Sequence, residues 1–299
     1  MSSSVKRVDM PYDVTEITAE TPLPFDDESR QLFKQASPLL AGLTDEELAK
    51  HIIAVRDEAY KASNPYPCIA TFFFVHPAVS TLQHKWYRAL RARLNDPQAK
   101  LLDFACCVGQ DLRYLHQDGV KGHQIVGADL EPKYFELGQR LFADKELAIG
   151  REAKFVECDI FNARHRASVM SAGRPGNGGY DVIWIGFFIH LFPFEQHKEV
   201  LKYLLSFMSK APGTCIAGRL AGTAEAQPIL RVYPDKSGSW SIDVENASLF
   251  LHNEDSLKAV FEDVAPGEWR LEAQVAKRWP PALAMRDLPQ MLNFIATRK

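Results

Sequence analysis

Three acids stand at the ends of apolar runs in this chain, and their types and spacing are suited to holding a ligand: Asp103, Asp129 and Asp159. Asp103 interrupts the run Leu101 to Ala105 near its end. Asp129 closes the run that begins at Ile125, and Asp159 closes Phe155 to Cys158. Between the first two acids lies Cys106-Cys-Val-Gly109, a loop of small residues leading into a helix. Small residues let the backbone come close to a ligand, and N–H groups at a helix N-terminus favour negative charge. Asp129 follows Gly109 by 20 residues. An acid at that spacing suits a two-point hydrogen bond to ribose hydroxyls. The implied chemistry is the binding of an adenosine-bearing cofactor at the carboxyl ends of parallel strands.

The elements that must position these residues follow from periodicity. Leu101–Ala105 and Ile125–Ala128 are short apolar runs of the kind a strand buried on both faces requires. Gln110–Asp118 reads as the helix between them. A helix from Pro132 to about Asp144, a third strand Phe155–Asp159, a surface helix and loop over 162–179 and a fourth strand Tyr180–Phe188 follow. Then come a helix over Glu195–Lys210, a fifth strand Thr214–Leu220, an inserted loop or hairpin over 222–248, a helix from His252 to about Val264, and two final strands, Trp269–Trp279 and Met291–Thr297. Alternating strands and helices ending on a strand pair imply an α/β fold: a Rossmann-like, mostly parallel open sheet with ligands bound at its switch point. Residues 1–95 are expected to form an N-terminal arm and helical cap, and 96–299 the cofactor-binding domain. In the cap, Asp26 or Asp27 reads as an N-cap, and Thr44-Asp-Glu-Glu47 has the form of a capping box. Ile69–Val75 reads as a strand or a buried segment, and Ser80–Leu94 as an amphipathic helix.

Two adenosine cofactors compete for the loop. A nicotinamide site wants G-x-G-x-x-G to admit a pyrophosphate. Here Ala105-Cys-Cys-Val-Gly109 is closer to G-x-G-x-G, with only the last glycine present, and donors for two phosphates are lacking. A loop that cradles an amino-acid moiety is the better match, which points to S-adenosylmethionine. Asp103 would then orient the cofactor's ammonium, and main-chain atoms of Ala105 and Gly109 would line its methionine part. Asp129 would take the ribose hydroxyls. Asp159 would accept from the adenine amino group while the Ile160 N–H donates to the ring, and Gly186 would let the cofactor lie against the backbone. Cys106, Asp111 and Leu130 complete the expected cofactor set.

Composition narrows the partners. Hydrophobic residues make up 46% and charged residues 24% of 299, which supplies ample core. A net charge of −3 does not suggest a nucleic-acid binder. No apolar run reaches the roughly 18 residues that span a bilayer, and the N-terminus lacks a secretory apolar region. The five cysteines (68, 106, 107, 158 and 215) fit buried thiols in a reducing compartment, so a cytoplasmic protein is expected. Adjacent Cys106-Cys107 lacks zinc-site spacing, and the nine histidines contain no H-x-x-x-H pair, so no metal is expected. A homodimer is left open.

Leu101–Val120 with Gly127-Ala-Asp-Leu130, Cys158-Asp-Ile-Phe161, His190-Leu-Phe192 and Gly218-Arg-Leu-Ala-Gly222 resembles fungal secondary-metabolite methyltransferases. These are class I S-adenosylmethionine enzymes of meroterpenoid pathways. Cys106–Arg113 is the most specific piece; Tyr66-Pro-Cys68-Ile69 and His252-Asn253 also look like this family. Family members usually carry Gly where this chain has Ala105. The resemblance implies a seven-stranded sheet and methyl transfer to a small aromatic or terpenoid acid or phenol, most directly esterification of a carboxylate. A phenol, enol or nitrogen acceptor, an oxidoreductase on the same sheet, and a non-catalytic cofactor binder are the alternatives. A carboxylate, with a pKa of about 4, needs no base, whereas a phenol at about 10 usually does. His190, just past the fourth strand, is the candidate base, or else a residue bonded to the backbone at a helix entry. Arg219, on the fifth strand, would pair with an acceptor carboxylate through its planar fork, or else with a nearby strand-tip acid.

Overall fold

A computed structural model describes residues 6–7, 23, 25–62, 69, 72–174, 178–230, 232–234, 240–242, 248–276 and 290–299. Its strands are β1 (Lys6–Arg7), β2 (Leu101–Phe104), β3 (Ile125–Asp129), β4 (Lys154–Glu157), β5 (Val182–Gly186), β6 (Cys215–Gly222), β7 (Gln227–Leu230), β8 (Val232–Pro234), β9 (Trp240–Ile242), β10 (Ser248–Leu251), β11 (Trp269–Ala276) and β12 (Gln290–Arg298). Seven of them form one sheet in the order β11-β12-β6-β5-β2-β3-β4. β2 through β6 run parallel, and β12 is antiparallel to both β6 and β11. Chain order reverses at β2, whose neighbours are β3 on one side and β5 on the other. The crevice beyond the carboxyl end of β2 is therefore the switch point where such sheets bind ligands.

Side-chain alternation divides the sheet into two faces. Leu102 and Phe104 of β2 join Ile183 and Ile185 of β5 beneath the helices Ala163–Ala172, Phe194–Ser206 and Glu254–Val264. Leu101 and Asp103 point the other way, with Trp184, under the helices His84–Arg93 and Gln110–Gln117. The same parity puts Asp129 of β3, Gly186 of β5 and Arg219 of β6 on the face of Asp103, since Asp103 pairs with Gly127 and Trp184, and Gly186 with Arg219. The apolar period thus brings four polar or small positions to one side of the carboxyl edge.

A third cluster joins the helices Asp27–Ala36 and Asp45–Ala62 to the helix Lys133–Leu141, through Phe33, Leu48, Ile52, Leu137 and Phe142. Asp26 caps the first of these, accepting from the Ser29 N–H at 2.8 Å. Thr44 and Glu47 form the reciprocal capping box, Thr44 N–H to Glu47 at 2.8 Å and Glu47 N–H to Thr44 Oγ1 at 3.2 Å. A cap of this kind stabilises by about 1 kcal/mol.

Several boundaries differ from those read off the sequence. Phe73–Val75 is a 3-10 turn, entered through Phe72 at φ 58°, so this apolar run is a buried turn and not a strand. Ser80 to Thr81 belong to a second 3-10 turn, Ala78–Thr81, and the helix begins at His84. β4 ends at Glu157, two residues before Asp159, where the Cys158 N–H turns to the Asp129 carbonyl at 2.7 Å. The segment after β6 holds short strands: β7 pairs with β1 and β10, and β8 with β9. Most of the expected N-terminal arm, the prolines at 65 and 67, parts of the 222–248 insertion (231, 235–239 and 243–247) and positions 277–279 lie outside the described residues.

Candidate functional site

The loop after β2 has an alternating left-handed backbone. Ala105, Cys107 and Gly109 take φ of 62°, 50° and 74°. Glycine adopts this region freely, whereas a residue with a Cβ pays about 1 kcal/mol or more. Two such costs are offset by hydrogen bonds. The Cys106 N–H reaches the Ala128 carbonyl at 3.1 Å, and the Gly109 N–H reaches the Cys106 carbonyl at 2.8 Å. The Cys107 N–H donates to Asp129 Oδ2 at 2.8 Å, while Asp129 Oδ1 accepts from the Glu131 N–H at 3.1 Å. The loop has the backbone of a G-x-G-x-G turn, although Gly109 is the sole glycine of the three.

Three carboxylates crowd the base of this loop. Burial pushes Asp129 up to about 6, against the lowering effect of the Glu131, Cys107 and Leu130 N–H groups. Burial also pushes Asp111 up to about 6, against N–H donors from Val79 and Ala78, the Trp184 indole and the Arg219 charge. Asp103 is raised well above the usual carboxylate range, by burial first and then by the charges of Asp111 and Asp129. Its Oδ2 is buried and has no hydrogen-bond partner among the described residues. An orphaned buried acceptor among three acids is a poor arrangement for the protein alone. It fits a ligand that brings a cationic donor, such as the ammonium of an amino-acid cofactor.

Asp111 commits both of its oxygens to the protein. Oδ1 accepts from the Val79 N–H at 2.8 Å and Oδ2 from Trp184 Nε1 at 3.1 Å. Expected from the sequence among the cofactor-binding residues, it ties the 78–81 turn to the sheet. Cys106 likewise presents no reactive group, because burial holds its thiol well above the ordinary range. A Cβ added at Gly186 would make ordinary contacts, 3.4 Å from Trp184 Nε1 and 3.6 Å from Asp111 Oδ2.

At the far tips, Leu130 is 57% and Phe161 39% exposed, both large apolar side chains beyond strand ends. Asp159 Oδ1 accepts from the Phe161 N–H at 2.9 Å, and buried Ile160 gives its carbonyl to Arg166 at 2.7 Å. Phe161 follows Asp159 by two positions and is not among the site residues expected from the sequence.

On the other side of Gly186 lies Arg219, 4% exposed. One Nη–H donates to the Thr81 hydroxyl, and the guanidinium stands 5.9 Å from the Phe187 ring centroid. Its Nε has no partner among the described residues, and burial draws its pKa down to about 10 against the support of Asp111. His190 is buried in the 3-10 turn Ile189–Leu191, edge-on to Phe187 at 6.1 Å. That turn is held from behind: the carbonyl of Phe192 accepts from His197 Nε2 at 2.8 Å, which leaves His197 Nδ1 to accept from His252 Nε2 at 2.8 Å. Asn293, opposite Arg219 on β12, is also buried, with Oδ1 unpartnered among the described residues. Its signal in the sequence was a lone amide inside Met291-Leu-Asn-Phe-Ile-Ala296.

Known proteins supply the family. Residues 18–75 match the family model described as the meroterpenoid methyltransferase N-terminal domain. The chain is 30% identical to the methyltransferase ausD of Penicillium brasilianum over 205 residues, covering 66% of this chain and 68% of that protein. It is 30% identical to the O-methyltransferase atr3 of Stereocaulon alpinum over 240 residues, 79% of this chain but 63% of that relative's length. Against the O-methyltransferase phiE of a fungal species, identity is 29% over 256 residues, with 86% and 75% covered. Among solved structures, the 1,6-didemethyltoxoflavin-N1-methyltransferase of Burkholderia thailandensis, bound to 1,6-didemethyltoxoflavin and S-adenosylhomocysteine, superposes with a TM-score of 0.50 at 14% identity. That match covers 83% of this chain and 88% of the other, and it shows the fold. The chain belongs to the fungal class I S-adenosylmethionine-dependent methyltransferases of secondary metabolism, in the meroterpenoid group.

Proposed function

We propose that this protein transfers a methyl group from S-adenosylmethionine to an oxygen of a small natural-product intermediate, and that the oxygen belongs to a carboxylate. The observation that carries the cofactor side is the acidic cluster under the left-handed loop, with Asp103 Oδ2 unpartnered among the described residues. In this reading Asp103 holds the cofactor's ammonium and the backbone of Ala105 and Gly109 lines its methionine part. Asp129 takes the ribose hydroxyls with the lone pairs that Cys107 and Glu131 leave, and Asp159 and Ile160 meet the adenine between Leu130 and Phe161. The bound cofactor supplies an electrophilic methyl carbon on a sulfonium.

The acceptor side rests on Arg219. A buried guanidinium whose Nε–H is unused among the described residues is a receiver for an anion, and its planar fork orients a carboxylate in two points. Its low exposure removes water from that carboxylate, and alignment against the methyl carbon can supply much of the barrier reduction. A carboxylate of pKa about 4 is already ionised near neutrality, so no residue has to take a proton. The family resemblance adds an aromatic or terpenoid acid as the acceptor class. Residues 1–95 act in this reading as arm and cap, closing the site through Val79 on Asp111 and Thr81 on Arg219.

A phenol acceptor is the second reading, favoured by His190 beside Phe187, where an imidazole would remove the hydroxyl proton. Incubation with methyl-labelled cofactor and matched aromatic acids and phenols separates the two. Label released by mild alkali marks an ester and supports the carboxylate reading; alkali-stable label marks an ether and overturns it. No helix among the described residues is long and apolar enough to cross a membrane.

A further inference from the structure

Arg113, the last residue of the Cys106–Arg113 string, does nothing in the reading above. It is almost wholly buried, 2% exposed, in the helix Gln110–Gln117. Its fork meets Asp144 in two points, Nε to Oδ2 at 2.8 Å and Nη2 to Oδ1 at 3.1 Å. Its remaining nitrogen, Nη1, donates to the Val108 carbonyl at 2.8 Å and the Gly109 carbonyl at 3.2 Å. Those carbonyls belong to the left-handed loop. Burying an ion pair is a costly way to stabilise a fold, and apolar residues of the same volume would often do as well. What the guanidinium provides here is direction: Asp144 fixes its plane, and the plane fixes where the two carbonyls sit.

The surrounding atoms leave the loop no slack. A Cβ on Gly109 would fall 2.4 Å from Arg113 Nη1, and a Cβ on Gly138 would fall 2.2 Å from the Val108 oxygen. The guanidinium also lies 4.8 Å from the Phe142 ring centroid. Phe142 in turn stacks on Phe33 of the Asp27–Ala36 helix, centroids 4.9 Å apart and planes 4° from parallel. His51 of the next long helix bonds the Leu141 carbonyl at 3.0 Å. A continuous stack therefore runs from the N-terminal helices through Phe142 to Arg113 and on to the loop.

The geometry points to Arg113 as the positioning residue of the cofactor loop, oriented by Asp144 and pressed into place by the N-terminal helices through Phe142. This deepens the cofactor reading and rests on it. Lysine at 113 would supply the charge but not the fork, so it could not meet Asp144 in two points and both carbonyls together. Phe33→Leu would loosen the stack from a helix that none of the roles assigned above places against the cofactor.

The test uses the full chain and S-adenosylhomocysteine. Calorimetry gives the affinity at a temperature well below each variant's melting point, and hydrogen–deuterium exchange reads the amides of 106–110. Arg113→Lys is expected to weaken binding at least about ten-fold and Phe33→Leu about three-fold, both with faster exchange confined to 106–110. A folded Arg113→Lys protein that binds within two-fold of the wild type, with unchanged loop exchange, would overturn the proposal. If Arg113→Lys does not fold, Phe33→Leu decides: unchanged affinity and loop exchange would overturn it. A wild type that does not bind S-adenosylhomocysteine would sink the cofactor reading, while loop exchange in the variants would still show whether Arg113 holds the loop.

Discussion

Asp129 Oδ2 accepts the backbone N–H of Cys107 at 2.8 Å, so the acid at the tip of β3 holds the loop after β2 in its left-handed turn. The residue expected to bind ribose is also a strut for the loop expected to bind the methionine part. Its removal should therefore cost twice. Asp129→Ala leaves the Cys107 and Glu131 N–H groups unpaired and takes away a charged acceptor, each effect on the order of 1–3 kcal/mol. S-adenosylhomocysteine affinity is expected to fall about 100-fold, together with a lower urea midpoint. An unchanged dissociation constant would contradict the assignment.

Strain in the loop is open to measurement. Ala105 sits at φ 62° and Gly109 at φ 74°. Ala105→Gly removes a Cβ from a left-handed position and should stabilise by about 0.5–1 kcal/mol, since the relief outweighs the added freedom of the unfolded chain. Gly109→Ala adds a Cβ that would strike Arg113 Nη1, and should cost more than about 2 kcal/mol. Urea denaturation of the two variants checks both signs.

The acidic cluster makes ligand binding sensitive to pH. Burial raises Asp111 and Asp129 to about 6 in the folded chain. A raised carboxyl pKa means the folded state holds its proton more tightly than the unfolded chain, whose value is about 3.9. The stability this adds is fully present below about 3.9 and is lost as pH rises through about 6. A cationic ammonium prefers the ionised cluster, so cofactor binding should release protons across the same window. Affinity for S-adenosylmethionine is expected to climb between about pH 5 and 7 and then level off. Calorimetry across that range, in buffers of different ionisation enthalpy, measures both the slope and the protons; a flat profile contradicts it.

Arg219 should matter to the acceptor and not to the cofactor. Arg219→Met keeps an apolar stem and removes the fork, leaving the Thr81 hydroxyl without its donor. The acceptor KM for an aromatic acid is expected to rise at least about ten-fold, with S-adenosylhomocysteine affinity unchanged. Steady-state kinetics alongside calorimetry separates the two sites.

Much of the scaffold was legible because burial imposes a period. Leu101, Leu102 and Phe104 had to form a strand covered on both faces, and the same parity put Asp103, Asp129 and Arg219 on one side. The helix caps at Asp26 and Thr44 were legible for the same local reason. What stayed hidden depends on partners distant in the chain. Nothing near Asp111 in the sequence announces Val79 and Trp184 as its donors. Arg113 was legible only as the end of the Cys106–Arg113 string, because its two-point partner Asp144 lies 31 residues away. Phe72–Val75 fits either a strand or a buried segment by sequence, and only its packing beside the N-terminal helices decides for a buried turn. Asp159 falls beyond its strand, where its Oδ1 accepts from the Phe161 N–H two residues on and closes a local turn.

A crystal structure with S-adenosylhomocysteine tests the central claim most directly: carboxylates on the rim of successive strands grip an adenosyl group and aim its sulfur at the chamber of Arg219 and His190. The account predicts the ligand's ammonium within hydrogen-bond reach of Asp103, its ribose on Asp129, and its sulfur between Gly186 and Arg219. A nucleoside bound elsewhere, or one that leaves Asp103 and Asp129 untouched, would contradict it.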